Sequence, residues 1–199
     1  MKVLLLAPQP FYEDRGTPIA VHLVLRVLSE QGHEVHLLTY HLGTHRAYPG
    51  VTIHRIPRLP FIRTIRPGFS WKKVICDIFL SFQALYLLAA KQPDLVHALE
   101  ETSILAWKFR LFSRVPYLYD MDSSIADQLV EKQPSLSRFI GLFRWFERRA
   151  VRSAEVVVPV CPALAEVANR YGPKQVTLLP DISLLSDQLL QHLIIRFCT

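Results

Sequence analysis

Glycine is scarce in this chain, with seven in 199 residues, and none falls in a GxGxxG or GxxxxGK(S/T) pattern. Neither a nicotinamide-dinucleotide fingerprint nor a P-loop is therefore supported. Cysteine is scarcer still. Cys76, Cys161 and Cys198 are odd in number and far apart, which argues against a disulfide framework and against a zinc site, and fits a reducing cytosol. The first apolar run ends at Pro8 after five residues, too short for the apolar region of a signal peptide. Val74 to Ala90 is longer but is interrupted by Asp77, Ser81 and Gln83. At about 17 residues it is marginal for crossing a bilayer, and a buried or interfacial helix is expected. Internal repeats and low-complexity linkers are also missing.

Negative charge is in deficit: 17 acidic residues stand against 23 Lys and Arg, giving a net charge of +6. That balance implies an anionic partner without choosing between nucleic acid, phospholipid headgroups and nucleotide phosphates. Its distribution says more. From Arg55 to Lys73 there is no acidic residue, and Arg58, Arg63, Arg66, Lys72 and Lys73 are interleaved with Phe61, Phe69 and Trp71. Cations beside aromatics suit the headgroup layer of an anionic membrane; a plain solvated loop is the other reading. A second basic stretch, Ser135–Arg152, sets Phe139, Leu142, Phe143 and Phe146 on one helical face with four arginines largely elsewhere, as expected of a core face and a solvated face. No nucleic-acid-binding module accompanies the charge, so nucleic acid is not an expected partner.

What the chain does have is apolar strand-like runs separated by helical periodicity. Half of its residues are hydrophobic, enough for one substantial core and one domain. Lys2–Ala7 is a short, continuous apolar run of the kind parallel sheets bury on both faces. Thr17 is expected to cap the following helix, with Pro18 in its first turn and Gly32 at its left-handed end. Further strands are expected over 34–40, 51–56, 94–99, 116–120, 155–160 and 175–180. Helices are expected over 71–90, 103–112, 135–152 and 162–171. This alternation predicts an α/β fold: a Rossmann-like, doubly wound, mostly parallel sheet flanked by helices. Residues 1–180 form that domain, and 181–199 read as an atypical helical tail with no further strand.

The loop Pro8–Thr17 sits at the carboxyl end of a parallel strand and feeds a helix N-terminus, where open α/β sheets bind ligands. Gly16 there lets a phosphate reach the backbone and the helix dipole, or it only makes the turn. Asp120-Met121-Asp122 has the carboxylates of a divalent-metal site, but it also reads as a helix cap with Ser123 and Ser124, and no metal is expected.

Several separated segments together resemble the N-terminal domain of retaining family 4 glycosyltransferases, which have the two-domain GT-B architecture. They are Lys2–Pro8, Gly16 with the helix to Gly32-His33-Glu34-Val35, Pro93–Ala98, Val115–Asp120, and Phe146–Ala150 leading to Ala154–Val160. The resemblance implies a sugar moved from a nucleotide-sugar donor to a glycan or lipid-linked acceptor at the cytoplasmic membrane face, with retention and with no cofactor besides the nucleotide-sugar substrate. It implies phosphate proximity for Arg15, Gly16 and Thr17, where relatives carry a glycine pair, and an acceptor or sugar contact for Glu100. Relatives often read Asp-x-x-His-x-His-Glu after the fourth strand. Leu99 stands at the second His, so the catalytic role is not transferred to His97, which is expected to pack at the strand end. The family's C-terminal domain, which holds most of the nucleotide, has no counterpart after Pro180, so the chain alone is expected to be inactive, with a separate C-terminal-domain chain as a partner. The rival class is a non-catalytic Rossmann-like module that binds a membrane or partner chain through Arg58, Arg63, Arg66, Trp71, Lys72 and Lys73.

Overall fold

In a computed structural model of the chain, residues 1–65, 70–132 and 134–180 are described. Strand β1 (Lys2–Leu6) is followed by α1 (Gly16–Glu30), β2 (Glu34–Thr39), β3 (Val51–Arg55), α2 (Trp71–Lys91), β4 (Leu95–Leu99) and α3 (Thr102–Ser113). Then come β5 (Tyr117–Met121), α4 (Ile125–Lys132), a 3₁₀ turn (Pro134–Phe139), α5 (Ile140–Ser153), β6 (Val156–Pro159) and α6 (Pro162–Tyr171). All six strands are parallel, in the order β3-β2-β1-β4-β5-β6. The central pair fixes the register: Val3 stands beside Val35 on one side and Leu95 on the other. Chain direction across the sheet reverses between β1 and β4, which makes their carboxyl ends the switch point of the fold.

Alternation along β1 builds two cores. Val3 and Leu5 pack with Val21 and Leu25 of α1. Leu4 and Leu6 pack on the opposite face, in the core that also holds Leu80 and Ala84 of α2, Ala106 and Phe109 of α3, and Val151 of α5. Right-handed crossovers produce this division, since β1 to β2 and β3 to β4 run in opposite directions across the sheet. Beyond α1 on its own face, an apolar groove of about 460 Å³ opens over Leu95, Leu118 and Val160.

Most local expectations hold. Gly32 follows α1 with φ 74°, and its N–H bonds the Ser29 carbonyl. Ser70 caps α2 by accepting from the Lys73 N–H at 3.2 Å. Thr17 does not cap α1. The Arg15 carbonyl already accepts from Ile19 N–H, so the helix begins at Gly16 and Thr17 lies inside it, with an extended Arg15 at the cap position. The single helix expected over 135–152 is instead a 3₁₀ turn and α5, with Pro134 opening the turn, a position where its missing N–H costs nothing. Before it lies α4, begun at the helix cap read over Asp120–Ser124: the Ser124 hydroxyl accepts from Asp127 N–H and its carbonyl accepts from Gln128 N–H. The strand expected over 175–180 is reduced to one bridge, Val157 to Val176. The helix expected over 181–199 lies outside the described residues, as do Arg66 and Phe69.

Candidate functional site

A cleft of about 270 Å³ opens at the carboxyl ends of β1, β4 and β5, lined by Gln9, Arg15, Gly16, Thr17, Lys73, Glu100, Asp122 and Ser123. The four residues expected at the phosphate and acceptor positions, Arg15, Gly16, Thr17 and Glu100, therefore meet in one place.

The β1–α1 loop is held by the loop that follows β2. Phe11 N–H bonds the Leu42 carbonyl, and Tyr12 and Thr44 exchange N–H bonds with each other's carbonyls. The Arg55 guanidinium donates to the carbonyls of Phe11, Tyr40, Leu42 and Thr44, so this arginine of the basic stretch is a structural clamp. Gly43, at φ +105°, passes so near Phe11 that a Cβ would lie 2.4 Å from its backbone. Only glycine fits there. Gly16 is different. Its φ is not positive and an added Cβ would meet nothing within 4 Å, so neither the turn nor the packing requires glycine. A bare backbone at the first turn of a 15-residue helix leaves its N–H groups open to an anion. Arg15 adds little positive charge of its own, because its Nε pairs with Glu13 at 3.0 Å.

Opposite lies a buried set of ionisable side chains. Glu100 ends β4 with φ +48°, a left-handed conformation that is strained for a residue with a Cβ and clusters at functional sites. Its Oε2 is 3.2 Å from Lys73 Nζ, and Glu101 Oε1 is 2.7 Å from the same nitrogen. Lys73 corrects an expectation: it is nearly fully buried and takes no part in the basic surface, because the first turn of α2 points it at Glu100 and Glu101 in the loop after β4. Burial opposes its charge, but the Glu101 and Glu100 carboxylates outweigh that and hold it above the ordinary lysine range. Burial pushes Glu101 up to about 8 against the pull of Lys73. It raises Asp77, one turn along α2 and hydrogen-bonded by the Tyr40 hydroxyl, to about 6.

Lys73, Ser123 and Gln128 also line a second cavity of about 330 Å³ between α2, α3 and α5, walled by Val74, Ile104, Phe143 and Phe146, with Lys108 at its side. Glu147 fixes the loop that divides the two. It is fully buried in α5 and accepts from Ser124 Oγ at 3.2 Å, Ile125 N–H at 2.7 Å and the Tyr171 hydroxyl at 3.1 Å. The sequence offered one hint of this role, a lone acid among the arginines of α5. It offered none for the meeting of Tyr40, Lys73, Asp77 and Glu101.

His97 is buried and partnered as expected, but in the middle of β4 rather than at its end, its Nε2 3.0 Å from Asp120 Oδ2. Asp120 is thus held by His97, while Asp122 lines the cleft. Among the described residues, no group of three or more His, Cys, Asp or Glu converges as a metal site would require. Arg58, Arg63, Trp71 and Lys72 are exposed.

The fold of this chain matches that of larger enzymes of known structure. The chain superposes on sucrose-phosphate synthase from Thermosynechococcus elongatus with a TM-score of 0.68 at 16% identity, covering 92% of this chain and 48% of that one. A domain of that enzyme made of its residues 27–220 and 406–426 gives a TM-score of 0.66 at 14% identity, with both covered in full. Arabidopsis thaliana UGT89C1 complexed with UDP gives 0.54 at 14% identity over 98% of this chain and 57% of that one. The chain thus spans about half the length of the intact enzymes it matches. No curated protein sequence is significantly similar to it. The family model of the glycosyl transferase 4-like domain matches residues 15–181, the described fold from α1 onward; the chain belongs to that glycosyltransferase family.

Proposed function

We propose that this chain is the acceptor-side half of a glycosyltransferase that moves a sugar from a nucleotide-sugar donor to a glycan or lipid-linked acceptor. The observation that carries the reading is Gly16, a glycine that neither turn nor packing requires, at a helix N-terminus facing a cleft. The donor diphosphate approaches the open N–H groups of Gly16 and Thr17, which stabilise the charge left on the departing nucleotide. Glu100, fixed by Lys73 and by its backbone conformation, orients an acceptor or sugar hydroxyl. The second cavity, apolar with Lys108 at its side, receives the body of the acceptor.

In this reading the opposite wall of the cleft comes from a second Rossmann-like domain, supplied on the same or a separate chain, and the half described here is inactive without it. Sugar transfer, or hydrolysis of a nucleotide-sugar, should appear when this chain is combined with a C-terminal-domain polypeptide. Inactivity despite demonstrated association would sink the proposal. UDP titrated into the labelled chain should shift the Gly16 and Thr17 amide resonances first.

A further inference from the structure

We propose that the outer face of α2 is a docking surface for an anionic phospholipid bilayer. The buried side of this helix carries Cys76, Leu80, Ala84, Leu87 and Leu88. Its other side is just as apolar and, among the described residues, largely exposed: Phe82 is 71% exposed and Tyr86 68%, with Ile78 and Leu85 about half exposed between Trp71 and the end of the stripe. These residues recur at helical spacing, so they form one stripe, about 22 Å long at 1.5 Å per residue. Large exposed apolar patches of this kind mark interaction sites.

Charge selects the occupant. Between Arg55 and Lys91 the only acidic residue is Asp77. It is turned inward, where the Tyr40 hydroxyl donates to it. Exposed Arg58 and Arg63 precede the helix in the chain, exposed Lys72 stands in its first turn, and Lys91 ends it. An apolar and aromatic stripe with cations at its ends and no exposed carboxylate complements acyl chains beneath anionic headgroups. A second copy fits worse. Antiparallel pairing of two such helices sets Lys72 against Lys91, and parallel pairing sets Lys72 against Lys72, so like charges meet either way. Lys73, in the first turn of the same helix, lines the cleft, so a bilayer under α2 lies beside the cleft mouth.

The test is co-sedimentation of the chain with vesicles of phosphatidylcholine containing phosphatidylserine, compared with phosphatidylcholine alone, with no donor or acceptor present. Its outcome is therefore independent of the transfer reading. The chain should bind the anionic vesicles, Ile78→Glu with Phe82→Glu should weaken binding about tenfold or more, and Lys72→Gln should weaken it about fivefold. Phe82→Trp should retain binding. Circular dichroism of every variant should match the parent, since the changed side chains are exposed. Absence of binding by the parent, or binding unchanged by the double substitution, overturns the proposal. So does a dimer in sedimentation equilibrium that Phe82→Glu dissolves, which assigns the face to a second copy.

Discussion

The loop after β1 offers the cleft its backbone, whereas the loop after β4 offers side chains. On the first side Arg15 is neutralised by Glu13, and what remains is a helix N-terminus bared by Gly16. On the second, Lys73 lies between two carboxylates beneath a strained Glu100. The difference teaches where each side is vulnerable. A backbone site loses affinity without losing stability when its glycine is filled. A buried ionic site loses stability when any member is removed, since its charges are compensated only by one another.

The largest expected effect is therefore on the β4 side. Lys73→Met should cost about 3 kcal/mol in urea unfolding, because it leaves the largely buried Glu100 carboxylate without a cation. A loss below about 1 kcal/mol would show that water compensates the carboxylate. The same site governs the pH dependence. Glu101, raised to about 8, and Asp77, raised to about 6, keep their protons in the folded chain at pH values where the unfolded chain has lost them. The folded state binds more protons, so stability should fall as pH rises from about 4.5 to 8. Glu101→Gln should flatten the upper part of that fall, from about pH 6 to 8, in unfolding curves collected at several pH values.

On the β1 side the effects should be small in stability and visible in binding. Gly16→Ala should leave unfolding within about 0.5 kcal/mol, since its Cβ enters open space, yet weaken UDP binding several-fold by calorimetry. Smallest of all, Arg15→Gly should change stability by less than about 1 kcal/mol, the loss of a partly exposed ion pair. It should leave UDP affinity near that of the parent. A large loss of affinity would make the guanidinium itself a phosphate ligand.

The β1 side was legible because its signals are local. An apolar run, a proline-rich turn, a glycine and a C-terminal Gly32 lie within 32 residues, and each is read by rules that act over one turn of chain. Even there Thr17 missed the cap by two positions, since the exact start of a helix depends on which carbonyl is first bonded. The β4 side was only half legible. Glu100 stood out at the end of a strand, but Lys73 reads as one more cation in a basic run until its contact with Glu100, 27 residues further along, is seen. Likewise only the cap of α4, at Ser123 and Ser124, was legible and not the helix after it, because the apolar pattern there is short.

By itself the sequence determined the parallel, doubly wound sheet and the position of the cleft residues Arg15, Gly16, Thr17 and Glu100 at its carboxyl edge. Strand and helix periodicities are properties of neighbouring residues, and right-handed crossover then leaves few arrangements open. Tertiary structure alone decided which charges are surface and which are interior. Lys72 and Lys73 are adjacent in the chain, yet a helix turns them about 100° apart, one toward solvent and the other against Glu100 and Glu101 in the loop after β4. Whether a lysine belongs to a membrane surface or to a binding cleft depends on what packs over it, and that is fixed by residues distant in sequence.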